Sequence, residues 1–195
     1  MKNICVFASS SDALKSTFVD EALTLARLIA KLQLNLVNGG ANVGLMEAML
    51  KEAQGHGAYT IGIIPEKMEK VKLISTHIDE LLISTDMKER KALMRERSDA
   101  FIALAGGFGT LEEILEVITL KQLEYHNKPI VFINTDGFYD DLFRQFEKSY
   151  EEHFAKSIYR TLYYIANNAT EAMDYLRHYT EETRASKWFE VPNSK

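Results

Sequence analysis

The sequence has few of the residues from which cross-links and metal sites are built. Its 195 residues include one cysteine and three prolines. A single cysteine excludes an internal disulfide framework and a cysteine-based zinc site. Cys5 lies in the apolar run of residues 4–7, where a buried thiol is expected. The five histidines do not have the spacing of metal ligands, so we predict no metal site.

Long apolar runs and an excess of positive charge are also missing. No apolar run approaches the roughly 18 residues of a membrane span, and the N-terminus lacks the pattern of a signal peptide. The net charge of −5 argues against a nucleic-acid partner, because such proteins usually carry a basic face. A small anion is compatible with this charge, since backbone N–H groups can hold a phosphate locally. We predict a cytoplasmic protein with no membrane or nucleic-acid partner.

Short apolar runs alternate with amphipathic segments along the whole chain. The predicted strands cover residues 3–7, 34–37, 58–64, 78–83, 100–104, 128–133 and 163–166. The predicted helices cover residues 14–32, 44–55, 86–97, 110–125, 138–153 and 170–180, and residues 66–77 look irregular. This alternation predicts an α/β fold with a mostly parallel sheet flanked by helices. We expect a single Rossmann-like doubly wound domain over residues 1–182 and a tail over 183–195.

A glycine-rich turn follows the most apolar of these strands. It contains Gly106, Gly107 and Gly109, and a helix is predicted directly after it. Glycine permits close approach of the backbone to a ligand, and the free N–H groups of a helix N-terminus favour an anion. The turn is not a P-loop, because no Gly-Lys-Ser/Thr sequence follows. An ordinary tight turn is the alternative, but three glycines in four positions favour a phosphate or ribose site.

Two further strands end in small or glycine-rich segments. Asn38-Gly39-Gly40 follows the second strand, and Ser9 to Ser11 follow the first. In doubly wound sheets the carboxyl ends of the strands form the ligand site, so the second turn is expected to be another wall of one pocket. The serines are either a third wall or, with Asp12, a cap for the first helix.

Charged residues lie close to the first turn in sequence. Thr110 and Glu113 have the Thr-x-x-Glu spacing of a capping box, so Glu113 is either a helix cap or a carboxylate that faces the ligand. Arg90, Met94 and Arg97 share one stripe of the preceding helix. An arginine can bind phosphate or carboxylate with two nitrogens. Spacing alone leaves these alternatives open.

Taken together, these segments resemble the Lonely Guy (LOG) family. The resemblance rests on residues 86–91, with their Arg-Lys pair, and on residues 98–113. The latter are similar to the family signature Pro-Gly-Gly-x-Gly-Thr-x-x-Glu. Residues 39–46 and 116–129 extend the resemblance over most of the chain. Members of this family were long mislabelled as lysine decarboxylases.

The resemblance implies a homodimer that hydrolyses the N-glycosidic bond of a nucleoside 5′-monophosphate. The substrate would be a cytokinin riboside monophosphate or AMP, and the products the free base and ribose 5-phosphate. By position, Arg90 and Glu113 match the catalytic pair, and no cofactor is implied. The matching substrate-contacting positions are Glu80, Lys91, Gly106, Gly107, Phe108, Gly109, Thr110, Leu111, Glu112 and Thr119. The alternative is a non-catalytic nucleotide or cofactor carrier on the same fold.

Some positions depart from the family pattern. Ala105 replaces the signature proline, so the exit from the strand is less rigid. Lys88 stands where many relatives have histidine, and Asn38 to Ala41 replace a more glycine-rich turn. These departures bear on base preference and efficiency but keep the Arg/Glu pair. A pyridoxal phosphate decarboxylase is a weaker alternative, because it needs a Schiff-base lysine and only Lys91 is close in sequence.

Overall fold

Seven strands pair in parallel in the computed structural model, which describes residues 1–70 and 72–180. They are β1 (Asn3–Phe7), β2 (Asn35–Asn38), β3 (Thr60–Pro65), β4 (Glu80–Ser84), β5 (Ala100–Ala103), β6 (Ile130–Ile133) and β7 (Tyr164–Ala166). Their order in the sheet is β4-β3-β2-β1-β5-β6-β7. The predicted α/β class and parallel sheet are confirmed, because each predicted strand is present with its ends shifted only slightly.

In the described part of the chain, seven α-helices connect or follow the strands. They are α1 (Ser16–Lys31), α2 (Gly44–Gly55), α3 (Glu66–Glu69), α4 (Met87–Glu96), α5 (Phe108–Gln122), α6 (Asp140–Glu151) and α7 (Ala169–His178). Within the described part of the chain, none of them is long and apolar enough to cross a bilayer. The short α3 lies in a segment expected to be irregular. The predicted tail, residues 183–195, lies outside the described residues.

The alternation of side chains along β1 divides the core into two layers. Ile4 and Val6 belong to a cluster with side chains of α1, α2 and α7. Cys5 and Phe7 belong to a second cluster with side chains of α4, α5 and α6. Because both faces of the strand are covered, it reads as a continuous apolar run rather than an alternating one. The fold is therefore doubly wound, as predicted.

The direction of winding reverses at β1. This strand pairs with β2 on one side and with β5 on the other. The loops that leave β1 and β5 consequently diverge, and this topology creates a crevice at the carboxyl edge of the sheet. The segments after these two strands are Ser9–Ser11 and the Gly106 turn. The fold thus brings together two segments that the sequence predicts to line the ligand site.

Candidate active site

Hydrogen bonds join the loop after β1 to the second glycine turn. The Ser9 carbonyl accepts from the Leu45 N–H at 2.9 Å, and the Asp12 carboxylate accepts from the Gly44 N–H at 2.8 Å. The expectation that Ser11 or Asp12 caps α1 is wrong, because α1 begins only at Ser16. Instead, the loop satisfies the first N–H groups of α2. That helix N-terminus is therefore not available to an anion.

The N-terminus of α5 differs, because its first N–H groups remain free for a ligand. Gly107 is the N-cap residue and has no side chain of its own to cap the helix. Within residues 1–70 and 72–180, no side chain accepts a hydrogen bond from the N–H groups of residues 108–110. A Cβ placed on Gly107 or Gly109 would have nothing within 4 Å, and Phe108 is 92% exposed. An open helix N-terminus combines unpaired donors with the positive end of the helix dipole. Of the two glycine turns, this one is suited to a phosphate.

Gly106 has a different role, because it packs on the inner side of the same turn. A Cβ at this position would overlap the side chain of Thr110, which is almost fully buried. Gly106 is thus needed for packing, whereas Gly107 and Gly109 face open space. The predicted glycine set divides into one structural residue and two that a ligand can approach.

Glu113 does not form a capping box. Helix α5 begins at Phe108, so Thr110 lies in its first turn and Glu113 in its second. The Glu113 carboxylate accepts a hydrogen bond from Nη1 of Arg90 at 2.6 Å. The capping interpretation is therefore wrong, and the carboxylate is paired with the arginine instead.

Arg90 is buried and held on three sides. Its Nε donates to the Ile63 carbonyl at 3.0 Å, at the carboxyl end of β3. Its Nη1 donates to Glu113, and its Nη2 lies where a Cβ on Gly39 would stand. Only 8% of the residue is exposed. The second glycine turn thus forms a wall of the site because it contacts Arg90, and not because it binds an anion itself.

Burial and the charge of Arg90 shift the pKa of Glu113 in opposite directions. Its side chain is 11% exposed. Burial raises the pKa of this carboxyl group, the charge and hydrogen bond of Arg90 oppose the rise, and the net pKa lies above the ordinary value for glutamate. A buried carboxylate with a perturbed pKa beside an open helix N-terminus is a candidate for acid–base or electrostatic catalysis.

Further ion pairs join α4 to α5 beside this pair. Lys91 pairs with both Glu112 and Glu116, and Arg95 also pairs with Glu116. These contacts fix the spacing of the two helices that carry Arg90 and Glu113. Two of the predicted substrate-contacting residues, Lys91 and Glu112, are consequently bound to each other.

Replacing Gly39 with alanine tests the packing of Arg90. The added Cβ would overlap the Arg90 guanidinium and the Met46 thioether. We expect the free energy of unfolding to fall by about 1–3 kcal/mol, as overpacking of a dense site usually costs. Urea unfolding measures this, with Gly55→Ala as the control, because a Cβ at Gly55 meets nothing within 4 Å. Equal stability of the two variants would contradict the packing described here.

The chain is similar to a family of known proteins. A family model described as "Possible lysine decarboxylase" matches residues 46–176. The cytokinin riboside 5′-monophosphate phosphoribohydrolase LOG2 of Arabidopsis thaliana is 40% identical over 178 residues, which cover 91% of this chain and 84% of the relative. The probable enzyme of the same kind LOGL3 of Oryza sativa subsp. japonica has the same identity and coverage. The chain belongs to the LOG family.

Solved structures share the fold of this LOG-family chain at lower identity. The molybdenum cofactor binding protein of Rippkaea orientalis has a TM-score of 0.70 and 24% identity, and the match covers 90% of this chain and 95% of that one. The Moco carrier protein of Chlamydomonas reinhardtii has a TM-score of 0.68 and 21% identity, with the same coverage. At such identities the similarity shows the fold alone.

Glu80 lies apart from the rest of the predicted site. It is the first residue of β4, at the amino edge of the sheet, whereas the glycine turns follow the carboxyl ends. Its carboxylate pairs with Arg97, which follows α4 on that same edge. In this LOG-family chain Arg90 lies near the carboxyl ends of the parallel strands, whereas Glu80 lies at the amino end of β4. The length of the strand therefore separates Glu80 from Arg90. Within one chain Glu80 is thus not part of the group of residues around Arg90, and a substrate contact at Glu80 stays a prediction.

Two other predicted positions lie on α5 but away from the pair. Thr119 follows Glu113 by six residues, or about 9 Å along the helix, and its hydroxyl donates to the Leu115 carbonyl at 2.8 Å. The side chain of Leu111 packs against the core cluster of α4, α5 and α6. Substrate contacts at these two residues stay predictions. The residues that the described chain does bring together are Arg90, Lys91, Gly106, Gly107, Phe108, Gly109, Thr110, Glu112 and Glu113.

The ion pairs of Lys91 bear on the name of the family model. Burial alone would lower the pKa of the Lys91 amine, but its hydrogen bonds to Glu112 and Glu116 outweigh burial, and the net pKa is raised. A Schiff-base lysine must be neutral to attack a carbonyl. This LOG-family chain therefore presents Lys91 as a charged partner of two carboxylates, which disfavours the decarboxylase alternative.

Two contributors to the site are not among the sequence predictions. The Ile63 carbonyl binds Arg90, but a backbone acceptor has no signal in residue type. Asp12 closes the second glycine turn through Gly44, whose φ is +58°. From its position in a serine-rich loop, Asp12 is expected to cap α1. Because α1 begins only at Ser16, the Asp12 carboxylate is available for the contact with Gly44.

Proposed function

We propose that this protein hydrolyses the N-glycosidic bond of a nucleoside 5′-monophosphate and releases the free base and ribose 5-phosphate. The observation that carries the proposal is the buried Arg90–Glu113 pair beside the uncapped N-terminus of α5. The relatives that share 40% of their residues with the chain are named for this reaction. The fold and the chemistry of the site support the same activity.

The N-terminus of α5 is the proposed phosphate site. Backbone N–H groups from Gly107 to Thr110 are uncapped, and the helix dipole adds positive potential there. Phosphate bound at this point places the ribose toward the second turn of the helix, where Glu113 lies. The site thus distinguishes nucleotides from nucleosides by a contact remote from the bond that breaks.

Glu113 is the proposed catalytic carboxylate. Cleavage of a glycosidic bond develops positive charge on the sugar, which a nearby carboxylate stabilises. Of the described residues only Arg90 donates to Glu113, and it uses Oε1, so Oε2 can accept from the attacking water. Water forms the new bond to C1′ and its proton passes to Glu113. The base leaves with the electron pair of the broken C1′–N bond and takes up a proton from solvent, and Glu113 then returns its proton to solvent.

Arg90 orients the carboxylate in this scheme. Because it is anchored on the Ile63 carbonyl and against Gly39, its guanidinium holds Oε1 of Glu113 in one position. The positive charge of Arg90 also opposes the rise in the Glu113 pKa that burial causes. The arginine therefore favours the ionised form of the carboxylate and directs it.

A base-release assay over a panel of nucleotides tests the proposal. The panel contains AMP, an N6-isopentenyl AMP, GMP and CMP, with adenosine as the substrate that lacks phosphate, and chromatography detects the free base. We expect release from at least one adenine nucleotide, and a rate at least about 100-fold lower for adenosine, since the phosphate contact is lost. Tight nucleotide binding without any release would instead support the carrier alternative.

The substrate range and the assembly state stay predictions. We propose an N6-modified adenosine monophosphate as the preferred substrate, which the names of the relatives support. The homodimer implied by the LOG resemblance is tested by analytical ultracentrifugation. The cytoplasmic location and the absence of a nucleic-acid partner also remain predictions from composition.

A further inference from the structure

A buried phenol lies directly behind the glycine turn. Tyr139 precedes α6 and is 2% exposed. Its hydroxyl donates to the Leu104 carbonyl at 2.6 Å. The pairing of β5 with β6 ends one residue earlier, at Ala103 and Phe132. Tyr139 therefore satisfies a buried carbonyl at the point where the sheet stops providing donors.

The same oxygen lies close to the other side of Ala105. Burial raises the pKa of Tyr139, and the nearby backbone of Gly106 opposes that rise. One phenolic oxygen thus binds the Leu104 carbonyl and lies beside Gly106, the residues before and after Ala105. The chain that leads from β5 into the turn is therefore anchored on this oxygen through the Leu104 carbonyl.

The tyrosine is itself held rigidly by elements outside the turn. Its backbone N–H donates to Oδ1 of Asn134 at 2.7 Å, and Nδ2 of Asn134 donates to Asp140 at 2.8 Å. Its ring packs edge-on against Phe132, with 5.2 Å between the ring centroids. The position of the hydroxyl is therefore set by β6 and by the start of α6, and not by α5.

We propose that Tyr139 is a positioning residue, whose hydroxyl fixes the exit of β5 so that the N–H groups at the start of α5 point at the bound phosphate. The identity of that ligand rests on the function proposed above. Gly106 and Gly107 make this segment intrinsically flexible, and Ala105 does not restrict φ as a proline would. A restraint from outside the segment is thus needed to preorganise it, and the phenol supplies that restraint.

The variant Tyr139→Phe removes the hydroxyl and keeps the ring packing. We expect the affinity for ribose 5-phosphate, measured by calorimetry, to fall about tenfold, because the donors are no longer preorganised. NMR relaxation should show larger motions of the Gly107 and Gly109 amides. With AMP as substrate, KM should rise more than kcat falls, since phosphate contacts are shared by the ground state and the transition state.

A proline at position 105 provides the rescue. Within the described residues the Ala105 N–H donates no backbone hydrogen bond, so Ala105→Pro removes none and fixes φ internally. In the Tyr139→Phe background we expect it to restore most of the lost affinity. In the wild-type background it should add little, because the phenol already restrains the segment. An equal gain in both backgrounds would overturn the proposal.

Tyr163→Phe is the matched control. It removes another buried hydroxyl of the same aromatic cluster, one that contacts the Tyr150 hydroxyl at 3.3 Å. We expect unchanged ribose 5-phosphate affinity in this variant. An equal loss in both tyrosine variants, or no loss in a folded Tyr139→Phe protein, would overturn the role of Tyr139. Because binding and amide motion need no turnover, a protein that releases no base would refute the proposed function without deciding this result.

Discussion

Glu113→Gln is expected to slow base release from AMP by about 1,000-fold while the protein stays folded. Glutamine keeps the size of the side chain and can still accept from Arg90, whose Nη1 lies 2.6 Å from the Glu113 carboxylate. It cannot take the proton of the attacking water or carry the negative charge that stabilises the ribose cation. Steady-state kinetics with chromatographic detection of adenine measures the loss.

The pH dependence of the wild type gives a second readout of the same residue. Burial raises the pKa of Glu113 in the folded protein, so kcat/KM should fall as the pH drops through a value above the ordinary glutamate range. Because the folded state holds this proton more tightly than the unfolded state, stability should decrease as the pH rises through that pKa. Both dependences should be absent in the residual activity and the stability of Glu113→Gln.

The control for this variant is Glu96→Gln. Glu96 is an exposed carboxylate at the end of α4, so its loss should change turnover by less than about twofold. Undiminished turnover in Glu113→Gln would contradict the assignment of Glu113 as the catalytic carboxylate. It would not affect the phosphate site, which the comparison of AMP with adenosine tests separately.

Arg90→Lys is expected to lower kcat/KM by at least about 100-fold despite keeping the charge. The guanidinium contacts three elements at once: Nε binds the Ile63 carbonyl, Nη1 binds Glu113, and Nη2 lies against Gly39. A single ammonium group cannot occupy these three positions, so the carboxylate loses its fixed orientation. The matched control is Arg95→Lys, one turn further along α4, whose partly exposed pair with Glu116 tolerates a point charge.

Complete removal of the Arg90 charge should also lower the free energy of unfolding. Arg90→Met leaves a carboxylate buried without its partner, and breaking such a pair costs about 3–5 kcal/mol of unfolding free energy. The double variant with Glu113→Gln should recover part of this loss, because the uncompensated charge is gone. Urea unfolding of the four proteins gives the coupling energy. Wild-type activity in Arg90→Lys, or additive losses in the double variant, would contradict a buried and directed pair.

Much of the fold was accessible from local sequence pattern. Strands such as residues 3–7 and 100–104 are continuous apolar runs because helices cover both faces of the sheet. The glycines at 106, 107 and 109 mark the main turn, since close packing and ligand approach both require a missing side chain. These signals act over a few residues, so they can be read without tertiary information.

The roles of individual side chains were less accessible. The spacing of Thr110 and Glu113 fits both a capping box and a ligand-facing carboxylate, and the choice depends on where α5 begins. The two glycine turns look alike in sequence, yet among the described residues only the turn before α2 has its N–H groups satisfied, by Ser9 and Asp12. Each distinction depends on a partner that is distant along the chain.

By itself the sequence determined the α/β class, the order of the elements, the glycine turn that is proposed to bind an anion, and the LOG resemblance, because periodicity, glycine content and motif spacing are local properties. Only the tertiary structure decided that Glu113 pairs with Arg90, that Glu80 lies on the opposite edge, and that Tyr139 supports the turn. These outcomes depend on the parallel register of the sheet and on where each helix begins. Residues 23 or more positions apart meet only after the chain has folded, so local pattern carries no record of their contacts.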